Sequence, residues 1–533
     1  LTVLNNFLHL LNEKPVFFTY FKKTHGPMNL SRQSIVNITS PEVNVPAPSY
    51  FDLPEKVLQF GTGVLLRGLP DYFIDKANKQ GIFNGRVVVV KSTRGGDSDA
   101  FAQQDGMFTL CVRGINNGET ISENIINASI SRMLSARFDW AKILECAQNP
   151  EMEIVVSNTT EVGIELVLED TRATPPGSFP GKLLAFLYAR YKAFNGDPTK
   201  GMVIIPTELI PDNGAKLKKI CQQLAVFNDL PSPFMKWLDE CNDFCNSLVD
   251  RIVPGKLPNL EQQEMEKLTG YKDALMIKSE VYRLWAIESD SERVKQKLSF
   301  READAGVVIA PDINVFRELK LRLLNGSHTF TCGLAFLAGF STVKEAMGNP
   351  AFNQFISALM LQEIAPSITG DNLNLEMAKD FALKVLDRYR NPHIDHQWIS
   401  ITMQYSSKMK MRNIPVLLKH YERNGTVPEL MAAGFAAHLL FMQSTKEGDA
   451  YYGTNFGKKY LVNDDHAAWY AEKWEKLEAP ELVQSVLSDA SFWDVDLTIL
   501  PGFAEAVTNY LNQLLDQGAA QLIGRFQSDS MIA

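Results

Sequence analysis

Cysteine is scarce in this chain: there are six in 533 residues. Cys111, Cys146, Cys221, Cys241, Cys245 and Cys332 are scattered, and no two form a Cys-x-x-Cys pair. That excludes a disulfide framework or a structural zinc site built on cysteine, and it reads as the reduced thiols of a cytoplasmic protein. Basic charge is not in excess either. Lys and Arg number 53 against 62 Asp and Glu, a net charge of −9, which argues against a nucleic-acid partner. No apolar run is long enough to span a bilayer, which excludes a membrane helix. The most apolar stretch, residues 430–442, is cut by Gly434 and His438. Internal repeats and low-complexity tracts are lacking. So are the basic start, unbroken apolar core and small-residue cleavage site of a secretory signal in residues 1–27. These residues are expected to lie upstream of the natural start at Met28.

What is present is an alternation of strands and helices. Val57-Leu58-Gln59-Phe60 ends in Gly61-Thr62-Gly63, and apolar residues at helical spacing follow from Val64 to Ile74. The β-branched run Val87–Val90 then reads as a buried parallel strand. Strand, turn, helix and strand within about 35 residues make a βαβ unit. Further strands are expected at 107–112, 153–157 and 202–206, with helices at 138–148 and 181–194. Another strand is expected at 306–310. From residue 315 onward nearly every periodic segment reads as helix. The expected fold is α/β: a Rossmann-like doubly wound domain over 51–290, then a mostly helical domain over 291–533. Residues 1–50 read as a poorly ordered extension.

Gly61-Thr62-Gly63 stands where a strand hands over to a helix. Glycine suits that place because a side chain would keep a pyrophosphate away from backbone N–H groups. Arg67, one turn on, reads as a phosphate ligand or a solvated surface residue. An acid at the end of the second strand would favour NAD. Here that place holds Lys91-Ser92-Thr93-Arg94, a local charge that leans towards NADP.

Residues 316–328 carry the densest chemistry. With Lys320 at 0°, Asn325 falls at about 140° and His328 at about 80° on an α-helix. Three polar groups thus share one side of a helix that is otherwise apolar. Carbonyl–alcohol redox chemistry needs such groups. A partly desolvated lysine can transfer a proton near neutral pH, an asparagine amide can polarise a carbonyl oxygen, and a histidine can hold a hydroxyl. The structural alternative is a snorkelling lysine, a capping asparagine and a core histidine.

Residues 320–328, KLRLLNGSH, resemble the K-x(4)-N-x(2)-H signature of the mannitol dehydrogenase family, the polyol-specific long-chain dehydrogenases. Other segments agree in order. Gly61-Thr62-Gly63 with Arg67 is similar to the family's Gly-x-Gly-x-x-x-Arg turn. Residues 104–110 (QDGMFTL), 160–163 (TEVG), 211–214 (PDNG) and 248–252 (LVDRI) are similar to family segments too. The resemblance runs from about residue 55 to the end. Residues 157–164, 205–210 and 390–397 point to members acting on keto-sugar acids rather than polyols.

The resemblance implies metal-independent hydride transfer between NAD and a sugar acid, by a monomer or small homo-oligomer. Lys320 would be the general acid–base, and Asn325 with Asn213 would polarise the carbonyl. His328 and Asp250 would hold substrate hydroxyls. Gly61, Thr62, Gly63, Arg67, Asp105, Thr160 and Glu161 would bind cofactor. NAD is expected on the resemblance, against the local charge of Lys91 and Arg94. One departure concerns the proton route: the polyol members have Glu three residues before the lysine, and this chain has Arg317. In residues 406–412, Lys408 and Arg412 are four apart and share a helix face. Lys408 matches a lysine that contacts substrate in the family, and Arg412 would support it. The mannitol-type pattern has an arginine eight residues before that lysine, where this chain has Ser400. The runner-up is another sugar-acid or polyol member of the family, and two competing classes are a dinucleotide-binding redox sensor, which would not need the Lys320 set, and a zinc enzyme using His393, Asp395 and His396.

Overall fold

The computed structural model describes residues 28–92, 98–159 and 162–528. Its first half is built on a six-stranded parallel sheet. The strands are β1 (Glu55–Phe60), β2 (Arg86–Lys91), β3 (Ile130–Ser135), β4 (Ile154–Ser157), β5 (Val203–Pro206) and β6 (Asp243–Phe244). Their order is β3-β2-β1-β4-β5-β6, the strand order of a dinucleotide-binding fold. All six residues of β2 are buried, as its unbroken apolar run requires of a strand covered on both faces. Phe60 lies level with Val90 and with Ser157, and Ser157 with Pro206. The carboxyl ends of four strands therefore form one edge, and the strand order reverses beside β1. That reversal opens the crevice where ligands of open α/β sheets bind.

Three expectations are corrected here. The strand over 107–112 does not join the parallel sheet. It is the first arm of an antiparallel hairpin, Phe108–Asn116 with Glu119–Asn127, whose outer neighbour is Ile277–Glu280. Asn117 and Gly118, both at positive φ, form the two-residue turn that favours such a hairpin. Residues 28–50 are not a loose extension. Met28–Asn29 pairs with Tyr271–Lys272, and Leu30, Ile35 and Val43 pack with Met107, Ile126 and Tyr271 in a small core. Residues 1–27 lie outside the described residues. A sheet of β7 (Ser247–Asp250), β8 (Leu284–Glu288) and β9 (Val307–Ala310) carries the first half past residue 290, so the helical half begins at Asn314.

Helix α1 (Val64–Gly68) follows β1. The helical half uses α2 (Asn314–Leu319), α3 (Ser327–Leu337), α4 (Leu375–Tyr389), α5 (Tyr405–Lys408), α6 (Ile414–Asn424), α7 (Glu429–Phe441) and α8 (Phe503–Gln517). Apolar on every side, α7 is the axis on which α3 and α8 pack. A three-stranded antiparallel sheet over 445–461 interrupts the helices, a feature the helical reading of this half had not anticipated.

Candidate active site

Between α2 and α3 the chain does not wind as an α-helix. Residues Lys320–Gly326 form a π-helical segment, a winding that occurs mostly in short pieces at functional sites. The wider winding brings Lys320 and Asn325, five apart, closer round the helix axis than the α-helical reading of the sequence placed them. The loosened carbonyls are held from outside. Tyr389 donates its hydroxyl hydrogen to the Leu324 carbonyl at 2.9 Å, and Ser327 Oγ lies 2.5 Å from the Leu323 carbonyl. A second π segment, Met409–Asn413, joins α5 to α6 and lies against the first. Arg322 donates to the carbonyls of Met411 and Arg412 at 2.8 and 2.9 Å. The approach is close enough that a Cβ on Gly326 would stand 3.3 Å from Asn413 Oδ1.

Lys320 reaches across to β7. Its Nζ donates to the Val249 carbonyl at 3.0 Å and stands 3.7 Å from Asp250 Oδ1. Asp250 is in turn gripped by Arg388 at the end of α4, through both oxygens, at 2.8 and 3.1 Å. The same guanidinium grips Glu280 at 2.9 and 3.0 Å. Burial alone would raise the Asp250 carboxyl, but the Arg388 and Lys320 charges hold it below its ordinary value. Burial pushes Glu280 up in spite of Arg388. Arg317, standing where the polyol members have glutamate, turns away. It donates to Asn314 Oδ1 at 2.6 Å and lies 3.8 Å from Asp212.

Asn325 exposes a side-chain amide with no hydrogen-bond partner among the described residues. His328 is buried, stacked on Tyr389 at 4.1 Å and edge-on to His396 at 5.1 Å. Its Nδ1 has no hydrogen-bond partner among the described residues, and burial followed by the His396, Arg388, Arg412 and Lys408 charges lowers it well below the usual histidine range. His328 therefore presents a neutral ring to a small cavity it shares with Arg388, Tyr389, Ile252 and His396. Arg412 donates to Thr329 Oγ1 at 3.2 Å and to the Asn325 carbonyl at 3.5 Å. Lys408 Nζ donates to the Ile401 carbonyl at 2.9 Å. Burial lowers both cations. Neither has a carboxylate within ion-pair distance among the described residues. Ser400 stands apart, donating to the Gln397 carbonyl at 2.7 Å.

The glycine turn lies at the carboxyl end of β1. Gly61 has φ +129°, and a Cβ there would stand 2.9 Å from the Asn158 carbonyl oxygen, so only glycine fits. A Cβ on Gly63 would meet nothing within 4 Å, which leaves its backbone open to a ligand. This bare turn at the strand-order reversal fits a dinucleotide pyrophosphate held by Gly61, Thr62 and Gly63. Two other expected cofactor ligands are corrected. Arg67 is buried between the Phe101 and Phe108 rings and donates to the Leu275 carbonyl at 2.7 Å, so its arm braces the fold. Asp105 accepts from the Arg32 backbone N–H at 2.8 Å, tying residues 28–50 to the turn that precedes the hairpin. Thr160, Glu161, Arg94 and Thr93 lie outside the described residues.

Asn213 also departs from its expected role. It is fully buried, and its amide donates to the carbonyls of Pro206, Glu208 and Ser247 at 3.0–3.1 Å. Its Oδ1 accepts from the N–H groups of Gly214 and Ser247, both at 2.9 Å. With every donor spent on backbone, Asn213 clips the end of β5 to the start of β7, the strand that carries Val249 and Asp250 to Lys320. Its side chain holds backbone in place and has no donor left for a substrate. Arg388, Glu280 and Tyr389 were missed in the sequence, where no motif marks them, and His396 was considered there only as a zinc ligand. Buried Glu208, which accepts from Thr159 N–H at 2.8 Å and from Ser157 Oγ at 3.2 Å, carried only a family-segment signal. Asp395 is paired with Lys344 at 2.7 Å. No group of three or more His, Cys, Asp or Glu among the described residues is placed to hold a metal ion, and none of the described helices is long and apolar enough to cross a membrane.

Known proteins share this architecture. An altronate oxidoreductase of Bacillus subtilis (strain 168) is 36% identical over 482 residues, covering 90% of this chain and 96% of its own length. One of Klebsiella pneumoniae (strain 342) is 36% identical over 474 residues, covering 87% and 95%. Among solved structures, the Pseudomonas fluorescens mannitol 2-dehydrogenase ternary complex with NAD and D-mannitol has a TM-score of 0.63 at 22% identity, covering 94% of this chain and all of that one. A D-sorbitol dehydrogenase in substrate-free form reaches 0.71 at 18%, covering 93% and 100%. The mannitol dehydrogenase Rossmann domain matches residues 55–300, and the mannitol dehydrogenase C-terminal domain matches residues 312–515. The chain therefore belongs to the mannitol dehydrogenase family of oxidoreductases.

Proposed function

We propose that this chain is an NAD-dependent oxidoreductase of hexuronate breakdown that interconverts D-tagaturonate and D-altronate without a metal. The observation that carries the sugar-acid reading is the pair Lys408 and Arg412, two half-buried cations beside Asn325 and His328 with no carboxylate paired to them among the described residues. An uncompensated cation in a partly desolvated site is costly unless an anion arrives, and a uronate carboxylate supplies one. The relatives named altronate oxidoreductase over about nine-tenths of the chain support the same reading.

When bound, the nicotinamide ring supplies or accepts the hydride. The chain's own residues do the rest. In reduction, the Lys320 ammonium gives a proton to the substrate oxygen, and in oxidation neutral Lys320 takes it back. The Asn325 amide donates to that oxygen as charge builds on it. Neutral His328 holds a neighbouring hydroxyl, and Asp250 keeps the Lys320 amine aimed. Arg412 and Lys408 hold the carboxylate. A substrate panel tests this reading with tagaturonate, fructuronate and fructose against NADH and NADPH. Tagaturonate with NADH is expected to lead in kcat/KM by about tenfold or more. Equal turnover of fructose would refute it, and a preference for NADPH would refute its cofactor assignment.

A further inference from the structure

The charges behind Lys320 form a chain of alternating sign that no sequence motif announces. It runs from Lys320 to Asp250 on β7, to Arg388 on α4, and to Glu280 on the edge strand Ile277–Glu280. The last three are buried, with side chains 6%, 4% and 1% exposed. Arg388 spends four charge-assisted hydrogen bonds on the two carboxylates, from 2.8 to 3.1 Å. Its guanidinium also lies 4.4 Å from the Tyr282 ring centre. Glu280 Oε1 accepts the Ile252 N–H at 2.6 Å. So Arg388 has no freedom to swing towards a substrate, although it lines the His328 cavity.

Such a cluster is expensive to bury and is weak evidence for stability alone. Its effect at the site is electrostatic. A bare Asp250 carboxylate 3.7 Å from the amine would hold Lys320 as an ammonium and oppose proton release. Arg388 offsets that carboxylate, and Glu280 offsets part of Arg388. Beyond this chain of charges, the cations Arg412 and Lys408 act on His328, which is kept neutral. Arg317 is turned towards Asp212.

We propose that Arg388, balanced by Glu280, is a positioning residue that sets the pH at which Lys320 exchanges its proton, by fixing Asp250 and offsetting its charge. This rests on Lys320 being the proton-transfer group. The two carboxylates on Arg388 have opposite consequences when the cluster is altered. Removing the Glu280 charge leaves Arg388 less offset and favours the neutral amine. Removing Arg388 together with the Glu280 charge leaves Asp250 alone with Lys320 and favours the ammonium.

The experiment is the pH dependence of kcat for D-altronate oxidation with NAD, in wild type, Lys320→Ala, Glu280→Gln and Arg388→Met/Glu280→Gln. The wild-type limb that rises with pH is expected to move down in Glu280→Gln and up in the double variant, each by about one unit. A limb unmoved in both, or moved the same way in both, overturns the proposal. If the double variant does not fold, Glu280→Gln decides alone: a limb that stays or rises overturns it. Lys320→Ala separates the two levels of the argument. A limb that persists there refutes the role of Lys320 and this proposal with it. A limb lost in Lys320→Ala but unmoved in Glu280→Gln refutes only the role of Arg388.

Discussion

Two groups of charges flank His328, and they are built on opposite plans. On one side Lys320, Asp250, Arg388 and Glu280 alternate in sign and satisfy one another. On the other, Arg412 and Lys408 stand four residues apart, and among the described residues their hydrogen-bond partners are carbonyls and a hydroxyl. A closed set of charges cannot attract an ionic ligand strongly, but it can fix how readily one member gives up a proton. An open pair does the reverse: it is poised for an anion and contributes little to proton transfer. On the proposed reading chemistry belongs to the first group and recognition to the second, and each assignment breaks under a different substitution.

The largest effect is expected at the closed group. Lys320→Ala should lower kcat by roughly 10²–10⁴-fold, the usual contribution of a positioned acid–base, and leave NADH affinity nearly unchanged. Stopped-flow turnover with a parallel NADH titration measures both. A variant that keeps most of its kcat would move the chemistry out of this group and dissolve the comparison.

At the open group the effect falls on KM. Removing one charge-assisted hydrogen bond costs roughly 1.5–3 kcal/mol, or about 10–100-fold in KM for tagaturonate. Arg412→Met is expected to exceed Lys408→Met, for two reasons. Arg412 offers a planar fork that suits a carboxylate and makes only long bonds of 3.2 and 3.5 Å. Lys408 is already committed to the Ile401 carbonyl and feels Asp464 as well. Both variants should narrow the gap between tagaturonate and fructose. Steady-state kinetics on the two substrates checks the order, and an unchanged ratio would place the carboxylate elsewhere.

How far the sequence reveals these groups follows from how local each is. The βαβ unit, the glycine turn and the Lys320–His328 trio are local patterns, and the structure builds each from contiguous residues. Lys408 and Arg412 are legible for the same reason. Arg388 is not: its partners Asp250 and Glu280 are 138 and 108 residues away, and on an amphipathic helix it reads as one more surface charge. The π segments escape because periodicity is counted at about 3.6 residues per turn, which also misjudged the angle between Lys320 and Asn325. Asn213 was assigned by resemblance to the substrate, while its burial commits it to five backbone groups. Residues 28–50 look like a linker because their few apolar side chains find partners only in distant strands.

A final test, read in stability and not in turnover, separates a histidine of the site from a histidine of the core. His438 on α7 is fully buried among the Tyr405, Tyr470 and Phe435 rings, and neither ring nitrogen has a hydrogen-bond partner among the described residues. Burial pushes it down from 6.5 to about 3. The unfolded chain therefore binds a proton that the native protein refuses. The stability that follows is fully present above pH of about 6.5 and drains away as pH falls towards about 3, by at most roughly 1.4 kcal/mol per unit. His438→Phe removes that term, so urea unfolding between about pH 6 and 4 should depend less steeply on pH than in wild type. His328 is lowered too, but it faces the open cations, and a bound anion would offset the charges that help hold it neutral. Adding D-altronate should therefore change the acid branch of wild type and of His438→Phe alike, since the core histidine takes no part in binding. If His438→Phe left the slope unaltered, the proton would have to be refused elsewhere, and His328 would be the first residue to substitute next.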